Sequence, residues 1–204
     1  ASSLNALYNY FIQDGQADSL ERMAMIKLLP VIGVDQLCKK VMQVRDDFVF
    51  SGRPFDIKGF LNLRNRMISE LTEASKINVK YSAGTLVDIE FYLQALQIKH
   101  GATNPVIRNT NSMEALKQLQ EAGVIDAKKA ECIRRAYSCF RRTIDALRAV
   151  RGNAKDLVLP DSNTPDYNYL ARRLNFVSAE DLSQEIEWCR NQCRGLLEKL
   201  TKEL

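Results

Sequence analysis

Residues 77–101 read INVKYSAGTLVDIEFYLQALQIKHG, and the predicted fold depends on this stretch. It begins with a short alternating segment, continues through the small-residue turn Ser82–Gly84 and then adopts a helical pattern. Thr85 and Asp88 have the spacing of a capping box, in which a hydroxyl and a carboxylate each accept an amide hydrogen of the first helical turn. The apolar residues that follow at helical spacing are Leu86, Ile89, Leu93 and Leu96. The stretch therefore predicts a β-like segment followed by an amphipathic helix.

The remainder of the chain also favours helices. Nine glycines and five prolines in 204 residues are too few for the many turns of an all-β protein, and no repeated alternating runs occur. We predict an all-α antiparallel bundle of six to eight helices, with at most one short β-like segment near residues 77–80. Residues 153–165 lack apolar periodicity and are predicted to form a loop after a long helix that ends at Gly152.

The composition excludes several classes of protein. With 46% hydrophobic and 26% charged residues the chain is expected to be globular and not disordered. No apolar run is long enough to cross a membrane and no signal sequence is visible, so we expect a cytoplasmic protein without a membrane partner. The net charge of +4 is mild, and aromatic residues are not interleaved with the arginines, which argues against nucleic acid as a partner.

The cysteines indicate a reduced protein. Five of them form an odd set without a C-x-x-C pair, so their spacing suggests neither a disulfide framework nor a zinc site. Cys132 and Cys139 are seven residues apart on one helical pattern, and Cys189 and Cys193 are four apart on another. This spacing is typical of small apolar residues in a helical core. We therefore interpret them as mostly buried thiols and predict no metal site.

Asp88 and Glu90 are the first candidates for chemistry, because both lie near the start of a helix, where its dipole stabilises negative charge. They are separated by roughly 200° around a regular helix and so cannot chelate one ion together. Capping by Asp88 and solvation of Glu90 are the structural alternatives. His100, the single histidine, is predicted at a helix C-terminus, where carbonyls are free. A self-contained helical enzyme that uses these three residues ranks last, since no second cluster of metal ligands accompanies them.

A basic stripe on the long predicted helix is the second candidate. Arg134, Arg141 and Arg148 recur every seven residues, with Arg142 beside them, so they form one side of the helix. Such a surface attracts anions or an acidic partner. Asp145 is four residues after Arg141 and three before Arg148, so internal ion pairs on a solvated face are the alternative.

Residues 80–101 resemble the K-x-x-x-G-G-x-x-D-I-E-F-x-x-Q-x-L-x-x-x-H-G signature of the glutamine-synthetase adenylyltransferases. Other segments resemble that family in the same order along the chain: Glu21-Arg22, Ile26-Lys27, Asn109-Thr110, Glu114-Ala115-Leu116, Glu121-Ala122-Gly123, Arg141-Arg142 and Leu159-Pro160. Two positions depart from the family. Thr85 replaces the usual second glycine, and Thr143-Ile144-Asp145 replaces L-E-N, so the resemblance does not by itself fix the protein substrate.

The resemblance implies that the chain is a helical portion that follows a nucleotidyltransferase core absent from this sequence. Residues 1–204 are then expected to form a single helical domain. The alternative is a subdivision into core-proximal helices at 1–76 and a main bundle at 85–204. The residues that the resemblance implies beside the nucleotide are Lys80, Gly84, Asp88 and Glu90.

The main hypothesis is a helical accessory domain that packs over the nucleotide site, recognises a protein substrate or regulator and is inactive alone. ATP and Mg²⁺ are implied for the full-length enzyme. The implied partners are the catalytic core of the same parent chain, glutamine synthetase and the PII signal protein. The alternative hypothesis is a non-catalytic interaction module that binds a regulatory partner through the basic helix face.

Overall fold

The computed structural model describes residues 3–18, 20–151 and 157–203. Its α-helices are α1 (Leu4–Tyr8), α2 (Glu21–Ile26), α3 (Asp35–Val49), α4 (Ile57–Leu71), α5 (Leu86–Gly101), α6 (Ser112–Glu121), α7 (Ala127–Arg151), α8 (Pro165–Arg173), α9 (Ala179–Cys193) and α10 (Leu196–Glu203). A π-helical turn at Asn9–Gln13 follows α1, and a 3₁₀ turn at Pro105–Ile107 follows α5. The predicted all-α class is therefore confirmed. The predicted helix end at Gly152 lies outside the described residues.

Side chains of Asp126 and Ser178 cap the starts of α7 and α9. The Lys129 amide donates to Asp126 Oδ1 over 2.8 Å at the start of α7. At the start of α9, Ser178 and Asp181 form a reciprocal capping box, in which each side chain accepts the other residue's amide. These bonds satisfy amides that the first helical turn leaves without partners, and so they fix where the helices begin.

The described chain contains more helical segments than the six to eight predicted, partly because one continuous apolar pattern is divided between two helices. α9 and α10 are separated at Arg194 and Gly195, and Gly195 has a φ of +77°. A left-handed glycine ends a helix readily because it has no Cβ. The apolar residues Cys193, Leu196 and Leu197 keep a helical spacing across the break, so the pattern does not reveal it.

The β-like segment near residue 78 has its partner within this chain. The Val79 amide donates to the Leu157 carbonyl over 2.9 Å, and the Leu159 amide donates to the Ile77 carbonyl over 2.8 Å. Asn78 and Val158 thus form an isolated antiparallel bridge. Apart from this bridge, the described residues 157–164 form a loop, as predicted for residues 153–165.

The chain divides into two compact units, each built from two stretches of sequence. The first consists of Ala1–Phe60 and Leu93–Ile125 within the described ranges, and the second of Leu61–Tyr92 and Asp126–Glu203. These units do not follow the alternative subdivision at 1–76 and 85–204. The assignment of the chain to one domain stays a prediction.

Each unit has its own apolar core. In the first, α2 packs on α3, and α6 packs on the 3₁₀ turn. Fully buried side chains of this unit include Ile26, Ile107, Leu116 and Leu119. In the second, α7, α8 and α9 pack on one another. Its fully buried side chains include Ile133, Phe140, Leu170, Leu182 and Ile186.

α5 is buried on nearly its whole circumference and not only on one face. Val87, Tyr92 and Ile98 are each at most 3% exposed, although they lie outside the predicted apolar stripe. A helix that is apolar on all sides is typically buried on all sides. The predicted amphipathic helix is therefore a core helix. Within the described ranges, the structure contains no helix with the length and apolarity needed to cross a membrane.

Candidate functional site

A tight turn over residues 78–85 leads into α5 and carries the first candidate residues. The Asn78 side-chain oxygen accepts the amides of Lys80 and Tyr81 over 3.0 and 3.1 Å. The Ser82 hydroxyl accepts the Asn78 amide over 2.9 Å, and the Ser82 amide donates to the Asn78 carbonyl over 3.0 Å. Asparagine and serine are suited to such turns because their side chains bond to nearby backbone. The turn is therefore fixed by its own polar groups.

The end of this turn requires glycine. Gly84 has a φ of +78°, and a Cβ at this position would lie 2.6 Å from the Arg190 carbonyl oxygen of α9. The Gly84 amide donates to Asp88 Oδ2 over 2.6 Å. The Val87 amide donates to the Lys80 carbonyl over 3.1 Å. The structure thus brings three of the candidates, Lys80, Gly84 and Asp88, to the start of α5.

Asp88 also forms a buried ion pair with α4. Arg64 Nε donates to Asp88 Oδ1 over 2.5 Å, and the two residues are 2% and 7% exposed. Arg64 Nη2 donates to the Ser82 carbonyl over 3.0 Å, whereas Arg64 Nη1 is buried and has no hydrogen-bond partner within the described residues. Removing one partner of a buried ion pair leaves the other charge buried without compensation. Such a pair therefore keeps the groups that it joins in fixed positions. Arg64 therefore fixes the turn and the helix start together.

The predicted capping box between the side chains of Thr85 and Asp88 does not form. The Thr85 hydroxyl donates to the Ser82 carbonyl over 2.7 Å, and the Asp88 amide bonds to the Thr85 carbonyl over 3.0 Å. The Asp88 carboxylate does accept a backbone amide, but that amide belongs to Gly84. A shift of one residue in the cap explains the difference, because the left-handed glycine turns its amide towards the carboxylate.

Lys80 and Glu90 differ from Asp88 in being half-buried. Lys80 Nζ lies 4.8 Å from the centre of the Tyr81 ring, which is within the range of a cation–π contact. Among the residues that the structure describes, the Glu90 carboxylate has no hydrogen bond or ion pair. Unlike Asp88, Glu90 therefore makes no bond that stabilises the described part of the fold.

A cleft of about 490 Å³ opens beside the Arg64–Asp88 pair. Its wall includes Arg64, Gly84 and Asp88 from the turn and α4, and Arg194 and Glu198 from the α9–α10 junction. Arg64 is not among the site residues predicted from the sequence. A signal was present, because Arg64 lies at helical spacing from the apolar residues Phe60, Leu61 and Ile68, and a charge within an apolar stripe needs a buried partner.

The basic stripe of α7 is partly neutralised. Arg134 forms an ion pair with Glu131, and Arg148 Nη1 lies 3.8 Å from Asp145 Oδ1. These are the internal pairs expected as the alternative to a binding face. Arg141 is exposed and has no ion pair within the described ranges.

The remaining members of these candidate sets also contact their own unit. Arg142 Nη2 donates to the Leu174 carbonyl, which ends α8, over 2.9 Å. His100 is half-buried in the last turn of α5, as predicted, and its carbonyl accepts the Asn104 amide over 3.0 Å. Arg142 is therefore engaged in helix packing, and Arg141 is the most available arginine of the stripe.

The sequence matches a known family over most of its length. The family model described as GlnD PII-uridylyltransferase matches residues 62–201. This range contains the turn, the ion pair of Arg64 and Asp88 and the whole of α7 to α9.

Several curated relatives bear one printed name, bifunctional glutamine synthetase adenylyltransferase/adenylyl-removing enzyme. The Bifidobacterium longum relative is 26% identical over 187 residues, which cover 90% of this chain and 17% of the relative. A Stenotrophomonas maltophilia relative is 30% identical over 186 residues, covering 89% and 19%. The Pseudomonas syringae pv. tomato relative is 26% identical over 194 residues, covering 93% and 19%. The chain thus spans under a fifth of the length of these three relatives.

The family model and the relatives confirm the resemblance that the sequence predicts, although the model and the relatives carry different activity names. The match includes the D-I-E-F run of residues 88–91 within its range. The chain belongs to the GlnD PII-uridylyltransferase family of nucleotidyltransferase-related proteins and is similar to the glutamine synthetase adenylyltransferases.

Proposed function

We propose that this chain is a helical accessory domain of a nucleotidyltransferase resembling glutamine synthetase adenylyltransferase, and that it is inactive alone. The observation that supports the proposal is the extent of the sequence matches. The three relatives align with about nine-tenths of this chain, whereas the aligned residues make up under a fifth of each relative. The rest of a parent enzyme of that kind has ample length to contain a catalytic core.

The two activity names support an accessory role. The family model is named for uridylyl transfer and PII, whereas the relatives are named for adenylyl transfer and removal and for glutamine synthetase. A helical region common to both does not by itself define the nucleotide or the target protein. Its contribution is then positioning, which accelerates transfer by holding reactants in the productive geometry.

Residues at the start of α5 are proposed to pack over the nucleotide of the parent enzyme. Lys80 and Glu90 are half-buried, and Lys80 is joined to the helix start by the bond from the Val87 amide. Lys80 supplies a positive charge suited to phosphate, and Glu90 supplies a hydrogen-bond acceptor for a ribose hydroxyl or a water. Gly84 and Asp88 hold these residues in place.

The described residues do not by themselves fit a Mg²⁺ site. Mg²⁺ prefers one or two carboxylates together with waters and phosphates, in octahedral geometry. Asp88 is already bonded to Arg64 and Gly84, which leaves Glu90 alone near the start of α5. ATP and Mg²⁺ are accordingly proposed for the parent enzyme, where carboxylates of the catalytic core would hold the ion. Glutamine synthetase or the PII protein is the proposed partner class.

The direct test is Glu90→Gln in the full-length parent enzyme. We expect nucleotidyl transfer to fall at least tenfold. The melting temperature should stay within about a degree, because the Glu90 carboxylate has no hydrogen bond or ion pair among the described residues. Glu121→Gln, an exposed carboxylate at the end of α6, is the matched control and should leave both unchanged. Unaltered transfer by the Glu90 variant would overturn the proposed role of this residue.

One observation favours the alternative of a pure interaction module, namely the exposed and unpaired Arg141 within the described part of α7. If the stripe alone binds a regulatory protein, Arg141→Glu should abolish a salt-sensitive pull-down that the Glu90 variant leaves intact. The accessory-domain proposal predicts instead that transfer by the parent enzyme depends on Glu90, whatever the effect of Arg141→Glu on regulation.

A further inference from the structure

Two thiols and a carboxylate converge where α7 packs on α9. The ligand atoms of Cys139, Glu185 and Cys189 all lie within 4.8 Å of one another. Glu185 and Cys189 are four residues apart on α9 and so share one face of that helix, which is directed towards α7. Cys139 is half-buried and Cys189 is buried.

We propose that Cys139, Glu185 and Cys189 form a binding site for a thiophilic divalent cation of the zinc class. Such ions are bound at about 2.3 Å by thiolate sulfur and at about 2.0 to 2.2 Å by carboxylate oxygen, usually in a tetrahedron. These bond lengths place a sulfur and an oxygen ligand about 3.6 Å apart. The distance from Cys189 Sγ to Glu185 Oε1 is 3.6 Å. The existing spacing of these two ligands therefore suits the ion without rearrangement of α9.

The surrounding charges suit an anionic metal complex. Two thiolates and one carboxylate around a divalent ion carry a net charge of −1. Arg135 binds the same carboxylate through two hydrogen bonds, one of them 2.8 Å from Nε to Glu185 Oε1, and its guanidinium lies 4.0 Å from the centre of the Trp188 ring. Hydrogen bonds to a ligating carboxylate orient it towards the metal. Arg135 thus positions Glu185 and offsets the net charge.

Both thiols bind such an ion as thiolates. Each bound ion therefore displaces at most two thiol protons, which pass to solvent.

A cavity gives the ion a route to the site. A space of about 160 Å³ is lined by Cys139 and Glu185, together with Arg135, Arg142 and Thr143. Three protein ligands leave a fourth tetrahedral position that a water can fill. The spacing of cysteines along the sequence does not reveal the site, because Cys139 is distant in sequence from the other two ligands. The spacing of Glu185 and Cys189 on one helix is the only local signal.

The experiment is a titration of the full chain with Cd²⁺ in a phosphine reductant, followed by thiolate-to-cadmium charge-transfer absorption. We expect one equivalent to bind, Zn²⁺ to displace it and Mg²⁺ to leave it bound. Cys139→Ser, Cys189→Ala and Glu185→Gln should each weaken binding at least tenfold. Cys132→Ser is the matched control, because this half-buried thiol lies two helical turns away on α7 and outside the cluster.

Circular dichroism establishes whether each variant is folded. Thermal unfolding in the presence of Zn²⁺ is a second test, and it does not rely on the substitution of the buried Cys189. Zn²⁺ should raise the melting temperature of the unaltered chain and of the Cys132 variant, but not that of the Cys139 variant, whose altered side chain is only half-buried. Equal Cd²⁺ binding by the unaltered chain and the Cys139 variant would overturn the site. An equal loss of binding in the Cys132 variant would also overturn it.

Discussion

Arg64 Nε lies 2.5 Å from Asp88 Oδ1, and this pair joins α4 to the start of α5 with both side chains nearly excluded from solvent. The same carboxylate accepts the Gly84 amide, and the same guanidinium donates to the Ser82 carbonyl. Asp88 therefore has a structural role that any change at this position disturbs. For this reason Glu90, and not Asp88, is the residue on which the activity test depends.

Loss of the buried charge at Asp88 should be costly. Asp88→Asn leaves Arg64 buried without a counter-ion, and we expect the free energy of unfolding to fall by about 3 to 5 kcal/mol. Urea unfolding followed by circular dichroism measures this value. Asp145→Asn is the matched control, because it removes an exposed carboxylate 3.8 Å from Arg148, and it should cost about 0 to 1 kcal/mol. Similar losses in the two variants would contradict a structural role for the buried pair.

Gly84 should tolerate a side chain less well than another left-handed glycine. Gly123 has a φ of +72°, close to that of Gly84, but a Cβ there meets no atom within 4 Å. Gly123→Ala should therefore cost only the backbone strain of about 1 to 2 kcal/mol. Gly84→Ala should cost about 1 to 3 kcal/mol more, because its Cβ would overlap the Arg190 carbonyl. Denaturant unfolding of both variants compares them, and equal losses would show that close packing on α9 is unimportant.

The Arg135–Glu185 pair should contribute to stability in a defined range of pH. The hydrogen bond from Arg135 lowers the pKa of Glu185 below its ordinary value of 4.5. A group with a lowered pKa in the folded state stabilises the fold above its ordinary pKa and loses that contribution as the pH falls through the folded value. Between pH 7 and pH 3 the unaltered chain should therefore lose unfolding free energy more steeply than Glu185→Gln. Parallel curves from urea unfolding at each pH would contradict this contribution.

Much of the helical architecture was predictable because it depends on local chemistry. Asp126 and Ser178 begin α7 and α9 at the positions that their capping patterns indicate. The break at Gly195 is not predictable in this way, because the apolar spacing of Cys193 and Leu196 continues across it. Local patterns therefore locate helix starts better than they locate interruptions within an apolar stripe.

The features that escaped prediction depend on contacts between distant residues. The partner of Ile77–Val79 is Leu157–Leu159, and nothing in either three-residue segment specifies the other. Arg64 is recognisable from sequence only as a charge in an apolar stripe, and its pairing with Asp88 needs the turn to be folded first. For the candidate site, the sequence predicts which residues lie at the start of α5, whereas the structure distinguishes the bonded Asp88 from the unbonded Glu90 among the described residues.

We propose that this chain assists nucleotidyl transfer without catalysing it. The most direct measurement is transfer of a labelled nucleotidyl group from ATP to glutamine synthetase in the presence of Mg²⁺, with the 204-residue chain and the full-length parent enzyme assayed at equal concentration. We expect labelled glutamine synthetase with the parent enzyme and only background with the chain alone. Labelling by the chain alone at a rate comparable to that of the parent would contradict it.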